Sequence, residues 1–293
     1  MKNKKITIFL YHEINDNPSK FCLEHNLNVS KKNFYSQIKW INKNYNIISP
    51  KQLIENHKLP KNPALITFDD GFYGAFNDGI NFLIENKIPS IMFLNMGHII
   101  NKSPLISSKA IFYKNYCKEL KINPNKLIHL EIDPEKMFEL EKKLYKNYDD
   151  EILLYQGKIV SYSTLKKFAN NKYVYFGNHL YLHWNSPALK SKDFISNIEK
   201  NEQFLFDLKN YCKLFAFTNG QFNDDNINDL IKLGFKKVLK SSGKINTNIE
   251  NFILDRVSLT NLEYNSFKLY IRTLKSKTNN FFINKFLGLL TRI

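Results

Sequence analysis

At 293 residues the chain is long enough for two ordinary domains or one barrel-sized domain. With 43% hydrophobic residues, 24 Phe and 16 Tyr it can bury a sizeable core, and no stretch approaches the roughly 18 consecutive apolar residues of a membrane-spanning helix. The net charge of +16 is scattered along the chain rather than clustered among aromatics, which disfavours a nucleic-acid groove and favours anionic partners such as phosphate-bearing substrates or lipid head groups.

The opening residues, MKNKKITIFLYHEIND, begin like a secretory signal, but the apolar run over 6–11 stops at His12 and Glu13. A signal needs about 7–15 apolar residues and a cleavage site, so this run is expected to be a first buried strand. Further short apolar runs at 64–68, 90–94, 173–176, 214–217 and 237–240 alternate with helical spacing over 31–45, 75–86, 191–209 and 225–233. Gly234 follows the last of these as a C-cap. Strand-then-helix alternation predicts an α/β fold with a parallel sheet and outer helices, and chemistry at the C-terminal ends of the strands.

Residues 101–158 are charged and helix-prone with no strand signal, and read as a helical insertion covering one side of the fold. The stretch 262–293 carries Phe281, Phe282, Phe286, Leu287, Leu289 and Leu290 among Lys and Arg. It reads as a basic amphipathic appendage that either rests on an anionic inner leaflet or packs its apolar face on the fold. One domain over 1–293 with these two additions is the expected organisation. Cys22, Cys117 and Cys212 are far apart and odd in number, which suits a reducing, cytoplasmic compartment rather than a disulfide framework or a Cys-based zinc site.

Two motifs carry chemistry. In LITFDDGF (65–72) a buried run ends in Asp69 and Asp70 followed by a glycine. Adjacent carboxylates repel, so such a pair calls for a cation or for two different tasks, unless it is a solvated turn. In YFGNHLYLHW (175–184), His179 and His183 are four apart, which on a helical turn puts both imidazoles on one side. Two His and one Asp with an open fourth position form a catalytic-type zinc arrangement.

With both motifs in this order, the sequence resembles the polysaccharide deacetylase family, which hydrolyses N- or O-acetyl groups on carbohydrates. The resemblance implies a distorted (β/α) barrel of about seven parallel strands. It implies that Asp70, His179 and His183 hold one divalent metal, usually zinc, and that Asp69 is the general base. The family's third motif falls on KLFAFTNGQFN (213–223), with Thr218 in place of Pro, Asn219 in place of an aromatic and no preceding Arg. Asn219 would still offer a backbone N–H to the oxyanion. No histidine follows His183, and the Leu-x-His at 127–129 puts His129 on the surface of the insertion. ITIFLYHEIND resembles the first strand of the circularly permuted branch, which includes biofilm poly-N-acetylglucosamine deacetylases, so the missing acid falls on His12, with Glu13 facing away. ILDRVSLT (253–260) resembles a late Leu-Pro-Arg-Ile strand, leaving Arg256 to orient Asp69 or to pair with Asp255 or another acid. His25, His57 and His98 match no motif and read as structural or exposed.

The function implied is a cytoplasmic, metal-dependent hydrolase of linear amide C–N bonds. It would remove an acetyl group from an N- or O-acetylated sugar, as a nucleotide- or lipid-linked precursor in surface polysaccharide synthesis. The alternatives are a deformylase or other amide hydrolase on a lipid-linked amino sugar, and a catalytically inactive sugar-binding relative.

Overall fold

Contiguous apolar runs can form strands only where both faces are covered, the condition of a parallel sheet wrapped by helices. The computed structural model describes residues 5–55, 59–120, 122–132, 134–143 and 148–276. Seven strands form the frame: β1 (Thr7–Tyr11), β2 (Pro63–Asp69), β3 (Ser90–Leu94), β4 (Val174–Asn178), β5 (Tyr211–Ala216), β6 (Lys237–Ser241) and β7 (Ile253–Ser258). They pair in parallel in chain order, and β1 closes the ring between β2 and β7, with Phe9 opposite both Ile66 and Val257. Every residue of β1 to β4 is buried. The result is a closed, distorted (β/α) barrel. Because all strands run the same way, their C-terminal ends share one mouth.

The outer helices follow from local signals. Ser30 caps the helix Lys31–Asn44 by accepting from the Asn33 amide, and Phe34, Ile38 and Ile41 face the barrel at helical spacing. The helix expected over 75–86 is a π-helical turn, Ala75–Ile80, that runs into an α-helix at Asn81–Glu85. Asp224–Lys232 ends as expected, with Gly234 at φ +77 and its amide returning to the Ile231 carbonyl. The helix Tyr264–Lys275 buries Phe267, whose ring meets Trp40 edge-on at 5.4 Å, so this part of the C-terminal stretch packs against Lys31–Asn44. The apolar cluster from Phe281 onward, like His57, lies outside the described residues.

Over 101–158 the described residues form helices only, among them Ile106–Tyr113, Pro124–Ile128, Pro134–Lys143 and Asp149–Gln156. Their apolar residues Ile106, Leu127, Met137 and Leu140 share one core with Leu180, Trp184, Phe215 and Phe217 at the barrel rim. The insertion is therefore packed on the loops that follow β4 and β5. No described helix is long and apolar enough to cross a membrane.

Candidate active site

The mouth gathers its groups from four strand ends. Asp69 is the last residue of β2, and Asp70 follows at φ +69 with its amide bonded to the Phe93 carbonyl. A left-handed aspartate is costly, and Gly71 at φ +81 completes a turn that few other residues allow. The turn points the two carboxylates in different directions. Asp69 meets Arg256 of β7 through two parallel bonds, Nη1 to Oδ1 and Nη2 to Oδ2, each 2.7 Å. Asp255, the alternative partner, instead accepts from Ser242 and lies 3.6 Å from Lys240. Arg256 is fully buried, with its guanidinium over the Phe93 ring at 5.6 Å. Phe93 has that room because its neighbour is Gly177, where a Cβ would sit 2.4 Å from the ring.

Asp70 faces the imidazoles. Its Oδ1 lies 3.5 Å from His179 Nε2 and 3.3 Å from His183 Nε2, and these ligand atoms all fall within 4.8 Å of one another. The pair is not carried on a helical turn as the spacing suggested. His179 to His183 form an irregular loop that turns at Leu180, φ +67. Local side chains stabilise that path. Asn178 accepts from the Leu180 amide, and Asn95 donates to the His179 and Leu180 carbonyls. Side-chain amides can satisfy both backbone donors and acceptors in a buried kink, which a helix would have satisfied internally.

Electrostatics sort these groups into charged and neutral. Burial would raise the Asp69 pKa, but Arg256 and His179 outweigh it and hold the carboxylate below its ordinary value. Asp70 is likewise held low against burial by His183 and His179. Burial pushes His183 down to about 4 despite Asp70, whereas His179 is raised, its burial outweighed by Asp69 and Asp70. His179 Nδ1 lies 2.7 Å from the Ala216 carbonyl. A carbonyl only accepts, so Nδ1 carries the proton and Nε2 is free to ligate in the neutral ring. Asp70 Oδ1 is buried with no hydrogen-bond partner although two imidazole nitrogens face it. Two imidazole nitrogens and an orphaned carboxylate oxygen that converge in this way suit a divalent ion with one position left open.

His12 directly follows β1 and stays partly open at the mouth. Burial lowers its pKa, opposed by Asp70 and Asp69, which places its ring within electrostatic reach of both carboxylates. Asn219 is exposed on the loop after β5 at φ +54.

One link to the site was not legible in the sequence. His98 takes the structural of its two expected places: it is buried, and its Nε2 accepts the His183 amide at 3.3 Å while Nδ1 faces Ser103 Oγ. Burial, with His183 and Lys109 adding to it, pushes His98 down to about 3, so the ring stays neutral and able to accept. The only available signal was its position four residues beyond β3, which sequence periodicity does not distinguish from a core histidine.

Glu13 does face away from these groups. It is buried against the amides of Gly74 and Ala75, and burial raises its pKa to about 7. A raised carboxylate favours the protonated folded state, so its stabilisation is complete below about pH 4.5 and fades as pH rises through 7. Relative to Glu13→Gln, the wild type should lose up to about 3 kcal/mol of unfolding free energy between pH 5 and pH 8. Urea melts at several pH values measure this, and parallel pH curves for the two proteins would refute it.

A sequence model of the family described as polysaccharide deacetylase matches residues 56–238, which include Asp69, Asp70, His179 and His183. The chain belongs to the polysaccharide deacetylase family. It is a carbohydrate deacetylase, a hydrolase that removes acetyl groups from sugars. His12 and Arg256 lie on either side of the matched span. No curated protein sequence matches the chain. Its fold is similar to that of the Streptococcus pyogenes deacetylase PplD in complex with acetate, at 15% identity and a TM-score of 0.65 over 92% of this chain and 98% of that one. It is also similar to IcaB from Ammonifex degensii, at 17% identity and 0.61 over 92% and 97% of the two chains. The deacetylase domain of BpsB from Bordetella bronchiseptica follows at 13% and 0.57 over 88% and 97%.

Proposed function

We propose that this deacetylase acts on an N-acetyl sugar linked to a nucleotide or lipid carrier, a precursor in surface polysaccharide synthesis on the cytoplasmic side. The observation that carries the catalytic reading is the division of labour between adjacent carboxylates: Asp69 is clamped by Arg256 while Asp70 faces two imidazoles. An anionic carrier is supported by the net charge and by a cavity of about 300 Å³ in the insertion, lined by Lys126, Lys136 and Lys143 against a single acid, Glu139, together with Asn123, Ile122, Ile132 and Leu140.

Asp70, His179 and His183 would hold the divalent ion, which when bound polarises the acyl carbonyl and lowers the pKa of water. Asp69, kept ionised by Arg256, takes the proton of the attacking water. The Asn219 backbone N–H donates to the oxygen that becomes negative as the carbonyl turns tetrahedral. His12, at the end of β1, gives its proton to the departing sugar amine, and acetate is left as the second product. Acetate is also what the PplD fold neighbour contains.

The deciding experiment measures acetate and formate release from nucleotide-linked and lipid-linked N-acyl sugars, with metal content determined on the same sample. Acetate from a carrier-linked sugar is the expected product. Formate would overturn the acetyl assignment, and a metal-free protein silent after zinc or cobalt addition would favour a sugar-binding role.

Two variants separate the imidazoles. His179→Ala should lose the metal. His12→Ala should keep it and lose about 10²–10⁴-fold in turnover of N-acetyl sugars, but little against an aryl acetate, whose leaving group needs no proton. Equal loss on both substrates would rule out the acid role.

A further inference from the structure

The third-motif segment departs from the family where it bears on the reaction, and the structure shows what stabilises it instead. Thr218, in the proline position, is fully buried and its hydroxyl donates to the Trp184 carbonyl. Three residues on, Gln221 Oε1 accepts from Asn185 Nδ2 at 2.8 Å. Asn185 is itself 2% exposed, and the same amide nitrogen reaches the His129 carbonyl of the insertion at 3.2 Å. Trp184 and Asn185 directly follow His183. Two side-chain hydrogen bonds therefore tie the Asn219 loop to the loop that carries an imidazole of the site.

Between these two anchors the backbone turns through the left-handed region, which asparagine and glycine enter more readily than other residues. Asn219 sits at φ +54, ψ +10 and Gly220 at φ +67. The loop also backs onto β6, since a Cβ on Gly220 would lie 3.1 Å from the Ser241 carbonyl oxygen. A proline would preset such a turn through its own ring. Here the constraint comes from the neighbouring loop after β4, through the hydrogen bonds of Thr218 and Asn185.

We propose that Thr218 and Asn185 are positioning residues for acyl hydrolysis, a hydrogen-bonded clamp that replaces a proline turn and aims the Asn219 backbone N–H at the acyl oxygen. This rests on the deacetylase reading above. A donor gains its catalytic effect from standing where the negative charge develops, and losing that placement costs rate rather than ground-state binding.

Thr218→Val keeps the shape of the side chain and removes the donor. It should lower kcat about 10- to 100-fold with KM and metal content within twofold of wild type, and Thr218→Ser should restore kcat. Asn185→Ala should give the same split. Hydrogen–deuterium exchange on the same proteins should show faster exchange across residues 217–222 and unchanged exchange across 90–94. An unchanged kcat in Thr218→Val, or a rise in KM alone, would overturn the clamp. If the wild type releases no acyl group from any substrate, the deacetylase reading fails, while exchange at 217–222 still decides whether the clamp exists.

Discussion

Asp69→Asn is expected to abolish measurable turnover while the protein keeps its metal. The amide cannot take a proton from water, and loss of a positioned base costs about 10²–10⁴-fold. Metal retention is expected because the ligand atoms that converge are those of Asp70, His179 and His183. The substitution also leaves the buried Arg256 guanidinium facing a neutral group, so the melting temperature should fall as well. Activity and metal content on one sample separate the two effects. Turnover above a tenth of wild type would remove Asp69 from the base role, and metal loss would make it a ligand.

Arg256→Met carries the second large effect. Methionine fills much of the same volume but strands the Asp69 carboxylate, which is 3% exposed. Breaking one side of a buried pair costs about 3–5 kcal/mol, so a marked drop in thermal stability is expected. The kinetic signature is more specific. In the wild type Asp69 is held below its ordinary pKa, so the base is ionised well into the acid range and its pairing is lost only as pH falls through that lowered value. Without the opposite charge, burial dominates and the pKa rises. The acid limb of the kcat/KM profile should therefore move up by about 1–3 pH units. A stability loss with an unmoved acid limb would leave Arg256 a purely structural partner.

The route to this site was unevenly legible. The barrel strands were visible because a strand covered on both faces must be apolar along its length, and the apolar runs ended at His12, Asp69 and Asn178 or close to them. The spacing of His179 and His183 was visible too, but its reason was misread. Spacing by four suits a helix, and nothing in HLYLH announces a left-handed leucine whose carbonyl is held by Asn95, 85 residues away in the chain. His98 and Thr218 were equally opaque, since each acts through a backbone group of a segment remote in sequence.

The sequence by itself determined the alternation of strands and helices, the carboxylate pair at the end of β2 and the histidines after β4. These depend on local patterning of apolar residues, turns and residue type. Only the tertiary structure decided which charges meet. Arg256 bonds to Asp69, 187 residues distant, rather than to its neighbour Asp255. Barrel closure through β1 and the register of the strands bring them together, and the two side chains share the enclosed side of the sheet. Alternation sends the preceding residue, Asp255, to the other face, where Ser242 and Lys240 receive it. Distance across a closed sheet is set by register and closure, and neither is written in the spacing of any single segment.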